Sequence, residues 1–138
     1  MKALHLPGTL ASLPAMGDYV AAAAVAARLS GRAAYQLRLA VDEIATNAVV
    51  HGYAKQGRSG TFSISARLQS DKLQVLLQDD SPSYDPRQTP PPQDLDRPQE
   101  RPSGGLGVYL ALQGVDAYRY EWLDGRNCHY FVMNRKQG

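Results

Sequence analysis

Two parts of this chain alternate between apolar and polar residues, and each folds back on itself after a short turn. In Thr61 to Leu68, Phe62, Ile64, Ala66 and Leu68 alternate with Ser63, Ser65 and Arg67. In Lys72 to Asp79, Leu73, Val75 and Leu77 share one parity, and Ser70-Asp71 supplies the turn between the two runs. The pattern returns in Ala117 to Leu123 and Asn127 to Arg135, joined by Asp124-Gly125, a strong hairpin signal. A period of two sends successive side chains to opposite faces, so each hairpin has one apolar face that something must cover.

The cover lies upstream. A helical pattern runs from about Ala15 to Leu29, with small residues from Ala21 to Ala27 that let a neighbour approach, and Ser30-Gly31 is expected to break it. A second helix is expected from about Arg32 to His51, stopped by Gly52. Leu37, Val41, Ile44 and Ala48 fall within about 60° of one another at 100° per residue, which makes that stripe a core face. A short strand at 3–7 and a short helix from Val108 to about Gln113 complete the order strand, helix, helix, strand, strand, loop, helix, strand, strand. That order predicts an α+β fold: a two-layer sandwich whose mixed, antiparallel-rich sheet is covered on one face by helices.

With 138 residues, 43% of them hydrophobic, the chain suits one domain. No apolar run approaches the roughly 20 residues that cross a bilayer, and the N-terminus lacks signal-peptide features, so a cytoplasmic protein without a membrane partner is expected. A net charge of +2 is too mild to indicate direct nucleic-acid binding, and a single cysteine, Cys128, excludes a disulfide framework.

Three groups of residues carry chemistry. Glu43, Asn47 and His51 stand at i, i+4 and i+8 on the second helix, a polar seam spanning about 80° at the border of the core. Asn47 is a poor helix former in mid-helix, and its amide oxygen is the kind of hard, neutral ligand that a hydrated Mg²⁺ accepts. Asp79 keeps the parity of Leu77, so it should face the helices and need a donor, which the amine of adenine, a backbone amide or a buried water could supply. Asp80, of opposite parity, is expected in solvent. Ser103-Gly104-Gly105-Leu106-Gly107 opens the last helix, and successive amides at a helix start bind anionic oxygens. Between the second and third groups lies an unusual segment. Residues 80–103 hold seven of the nine prolines, five acids, three arginines and no glycine, a long polar loop that should not pack as core.

Taken in order, these pieces resemble the GHKL ATPases and kinases. Leu39 to Tyr53, with Glu43, Asn47, Ala48, His51, Gly52 and Tyr53, is similar to the N-box of the bacterial anti-sigma-factor serine kinases. Asp79 to Pro86 resembles the family's first glycine box, and Gly104-Gly105-Leu106-Gly107-Val108-Tyr109-Leu110 its second. The resemblance covers essentially the whole chain and implies a single ATP-binding kinase domain over 1–138, with 80–103 as the lid over the nucleotide. ATP and Mg²⁺ are the implied cofactors. Asn47 would ligate the metal, and Glu43 would act as general base or orient the attacking hydroxyl. Asp79 would bind the adenine amino group, and Ser81, Arg101, Gly104, Gly105, Leu106 and Gly107 would complete the ATP site, Arg101 pairing with the terminal phosphate. The implied function is an ATP-dependent protein serine kinase and anti-sigma regulator. Its partners would be a small anti-anti-sigma protein of STAS type and a sigma factor, and a homodimer is compatible with it.

The chain departs from the family in the first glycine box. Ser81 stands where glycine is usual, and Ser83 or Tyr84 occupies the neighbourhood of the second glycine. An alternative function follows from that change: a nucleotide-binding module that controls a partner without phosphotransfer. His51 is read as capping the end of its helix rather than as catalytic. His5 and His129 are read as structural or surface residues, and the face made by Tyr118, Tyr120 and Trp122 as core.

Overall fold

Both alternating pairs form hairpins, and the two hairpins join into one sheet. The computed structural model describes residues 1–54, 57, 59–88 and 105–135. In chain order these form β1 (Leu4–Pro7), a 3-10 turn, α1 (Leu13–Ala26), α2 (Gly31–Asn47), a π-helical segment (Ala48–Ala54), β2 (Thr61–Leu68), β3 (Lys72–Asp79), a second 3-10 turn (Pro86–Gln88), α3 (Gly105–Gln113), β4 (Ala117–Leu123) and β5 (Arg126–Asn134). The sheet order is β1-β2-β3-β5-β4, and all four pairings are antiparallel. The fold is the expected α+β sandwich, with a sheet that is wholly antiparallel rather than mixed because every pairing joins strands running in opposite directions.

Its core lies between the sheet and the helices. Phe62, Ile64, Leu73, Val75, Leu77, Phe131 and Met133 point from one face of the sheet. They pack with Met16, Val20 and Ala23 of α1, Leu37, Val41 and Ile44 of α2, and Val108 and Ala111 of α3. Burying each large aliphatic or aromatic side chain contributes about 1.5–3 kcal/mol, so the period-two strands and the helical stripe together drive the sandwich.

Several helix boundaries differ from expectation, and α3 begins at Gly105 rather than Val108. α1 stops at Ala26, three residues early, because Arg28 adopts a left-handed φ of 57°. Arg28 N–H then donates to Val25 O and Leu29 N–H to Ala24 O, both at 3.0 Å, closing the helix in a Schellman arrangement. Ser30-Gly31 therefore starts the next helix instead of breaking the last: Ser30 Oγ accepts from Ala33 N–H at 3.1 Å as the N-cap of α2. The other correction concerns β4. On this edge strand Tyr118 packs against the core but is half-buried, Tyr120 is half-buried, and Trp122 is 46% exposed rather than core. Among the described residues no helix is long and apolar enough to cross a membrane.

Candidate functional site

The second helix does not end at His51. Its α-helical part closes at Asn47 and the chain continues as a π-helical segment through Gly52 to Ala54. A π turn carries one extra residue and re-aims the side chains around it, which is why such turns gather at functional sites. The anchor of this segment is Tyr53, 2% exposed. Its hydroxyl lies 2.5 Å from Asp80 Oδ1 and accepts from Asp80 N–H at 3.0 Å. Burial, reinforced by the Asp80 carboxylate, pushes the Tyr53 phenol far above its ordinary range. Asp80, expected in solvent, is thus tied to the helix; its Oδ1 also accepts from Thr61 N–H at 3.1 Å. His51 is exposed and is not the last residue of its helix, so the capping role falls away.

The π segment forms one wall of a cavity. Asn47, Ala48, His51 and Gly52 face Ser81, Pro82, Ser83 and Tyr84 across a volume of about 240 Å³. Gly52 permits this closeness, because a β-carbon there would stand 2.7 Å from Ser81 Cβ. The family-type glycine missing at 81 has a counterpart across the cavity.

Behind Ser81 sits a buried polar network that the strand register assembles. β3 and β5 pair Asp79 with Asn127 and Leu77 with His129. Asp79 is 2% exposed, and its Oδ1 accepts from Ser81 N–H at 3.0 Å, Ser81 O–H at 2.5 Å and Asn127 Nδ2 at 2.9 Å. Its Oδ2 has no hydrogen-bond partner among the described residues and faces His129 Nε2 at 3.5 Å. Burial pushes this carboxyl upward, but the facing His129 ring and the Ser81 and Asn127 donors outweigh it and hold Asp79 below the ordinary carboxylate range. His129 Nδ1 lies 2.6 Å from the Tyr118 hydroxyl. Asn127 also donates to the carbonyls of Ser81 and Pro82, and its Oδ1 accepts from Tyr84 N–H. Asn127, His129 and Tyr118 are site residues that sequence reasoning missed. The available signal was the shared parity of His129 with Phe131 and Met133, but which strand lay opposite was not legible.

Glu43 stands one helical turn before Asn47, and both are half-buried. Desolvation and the neighbouring Asp42 carboxylate push the Glu43 carboxyl upward. The third motif reaches it directly: a β-carbon on Gly107 would lie 2.6 Å from Glu43 Oε2, so the start of α3 runs against this carboxylate. Gly105 and Leu106 form the first turn of α3. Arg101, Gly104 and residues 89–103 of the expected lid lie outside the described residues. The lid's described part is less solvated than expected. Ser81 and Pro86 are buried, Tyr84 is bonded to Asn127, and Asp85 pairs with Arg87 at 2.9 Å.

A family model for the histidine kinase-like ATPase domain matches residues 6–132. Similar curated proteins include the serine-protein kinase RsbW of Bacillus subtilis, 35% identical over 92 residues, which cover 62% of this chain and 55% of that protein. The serine-protein kinase RsbW of Halalkalibacterium halodurans is 29% identical over 119 residues, covering 78% of this chain and 72% of that protein. That of Bacillus pumilus is 32% identical over 85 residues, covering 58% and 52%. The chain thus spans about half the length of the first and third of these relatives and more of the second. A match over nearly the whole chain, on a fold that brings the three motifs together, identifies this protein as a member of the histidine kinase-like ATPase domain family.

Proposed function

We propose that this chain is an ATP-dependent protein serine kinase that phosphorylates a small anti-anti-sigma protein of STAS type and sequesters a sigma factor. The observation that carries the reading is convergence. Three segments distant in sequence meet in one place: Gly52 lies against Ser81, Asn47 and Ser81 share one cavity, and Gly107 abuts Glu43. The likeness to serine-protein kinases supports the reaction type.

The cavity is smaller than the roughly 300–1,000 Å³ of sites that enclose a whole small molecule. It suits the base and ribose, with the phosphates passing along α2 from Asn47 toward Glu43 and the amides that open α3. Among the described residues no group of three or more His, Cys, Asp or Glu is arranged to hold a metal ion. The Asn47 amide would therefore be a single protein ligand to Mg²⁺, which readily takes its remaining positions from phosphate oxygens and water. When bound, the metal neutralises charge on the transferring phosphate. Glu43 would accept the proton of the attacking serine hydroxyl or orient it, and its raised pKa makes it a stronger base. Asp79 supplies negative charge behind the base. Arg101 and Gly104 complete the set that the family resemblance implies.

Incubation with Mg²⁺, γ-labelled ATP and a candidate anti-anti-sigma protein tests this reading. Phosphoserine on the partner, absent with Glu43→Ala, is the expected result. Nucleotide uptake without phosphoserine would leave a module acting by occupancy, a second reading that Ser81 in place of glycine favours.

A further inference from the structure

We propose that the Ser81 hydroxyl, rather than the Asp79 carboxylate directly, makes the contact that selects the base, and that it selects a 6-amino purine. The inference rests on the nucleotide-binding reading above. Asp79 does not line the cavity; Ser81 does. Both carboxylate oxygens are turned toward protein groups, Oδ1 to Ser81 and Asn127 and Oδ2 toward His129. Ser81 therefore stands between the charge and the ligand.

A hydroxyl has one proton and two lone pairs. The Ser81 proton goes to Asp79 Oδ1, because an ionised carboxylate only accepts. One lone pair faces Asn127 Nδ2 at 3.2 Å. The other is left for the cavity, and with its proton committed the hydroxyl can only accept there. It therefore favours a 6-amino purine, which donates at that position, over a 6-oxo purine, whose O6 only accepts. The direction of the hydroxyl is fixed from behind. The Tyr118 hydroxyl lies 2.6 Å from His129 Nδ1, and His129 Nε2 lies 3.5 Å from Asp79 Oδ2, so the ring backs the carboxylate on the side away from Ser81. Asn127 meanwhile holds the carbonyls of Ser81 and Pro82, so the turn cannot swing the hydroxyl away.

Calorimetric titration of wild type, Ser81→Ala, Ser81→Cys and Ser81→Gly with Mg·ATP and with Mg·GTP tests the proposal. Wild type should prefer ATP. Ser81→Ala keeps the β-carbon that shields Asp79 but removes the acceptor, so ATP affinity should fall about tenfold with GTP affinity unchanged. Ser81→Cys, a poor acceptor, should behave alike and stands in if the alanine variant does not fold. Ser81→Gly removes the shield and lets the carboxylate meet the amine, restoring ATP affinity to within about threefold of wild type. Comparing two nucleotides on each variant cancels any general loss of stability. An unchanged ATP-to-GTP ratio in Ser81→Ala overturns the proposal, as does a glycine variant as weak as the alanine one. A wild type that binds both nucleotides equally also overturns it while sparing the kinase reading. A wild type that binds neither removes both.

Discussion

At the Asp79 end of the site, four polar residues, Asp79, Ser81, Asn127 and His129, are each no more than 4% exposed and hold one another through hydrogen bonds and the close approach of His129 Nε2 to Asp79 Oδ2. At the Glu43 end, Glu43 and Asn47 sit half-buried on one helix, and the neighbour that shapes their surroundings is the bare backbone of Gly107. The first construction is a closed network in which every member depends on the others, because an unpaired polar group in a low dielectric is costly. The second leaves its side chains able to change partners. Binding surfaces that must be pre-set suit the first, and groups that must handle a moving proton suit the second. Substitutions at the two ends should therefore separate: stability at one, turnover at the other.

The largest expected effect is at the Glu43 end. Glu43→Ala should lower phosphotransfer by roughly 10²–10⁴-fold while leaving nucleotide affinity and melting temperature near wild type. Equal losses in binding and turnover would make Glu43 structural and break the contrast. At the other end, Asp79→Ala strips the common acceptor from Ser81, Asn127 and His129. A loss of about 3–5 kcal/mol is expected, read as a large fall in Tm by calorimetry or circular dichroism. The same network gives a pH signature. Asp79 titrates lower in the folded chain than when unfolded, so its contribution is complete above the ordinary carboxylate value of about 3.9 and is lost as pH falls through the folded value. The acid limb of Tm against pH should be flatter in Asp79→Asn than in wild type. A smaller effect sharpens the comparison: Gly107→Ala should displace the Glu43 carboxylate and cost about tenfold in turnover with little change in Tm.

How much of this was legible depended on whether the signal was local. β2 and β3 fall where the alternation of Phe62 to Leu68 and Leu73 to Asp79 puts them, and the stripe Leu37, Val41, Ile44 and Ala48 is buried as its period requires. Glu43, Asn47 and Gly107 were visible because their motifs are contiguous. The end of α1 was not, because Arg28 takes a conformation that glycine usually marks. The π segment was hidden because its cause is tertiary: Tyr53 reaches Asp80, 27 residues away. Asn127 and His129 escaped for a related reason. Their partner Asp79 lies across a pairing between β3 and β5, strands that are not consecutive, and no local pattern states that register. Ser81 looked like a defect in a glycine box, and only its bonds to Asp79 and the bare Gly52 opposite make it a built part of the wall.

The proposed kinase has one site that binds nucleotide at its Asp79 end and performs chemistry at its Glu43 end. The most direct test of this division is calorimetric titration of Mg·ATP into wild type and Glu43→Ala side by side. Saturable binding with closely similar affinity in both is the expected result. Absence of ATP or ADP uptake by wild type at millimolar nucleotide with Mg²⁺, or loss of binding in Glu43→Ala alone, would contradict it.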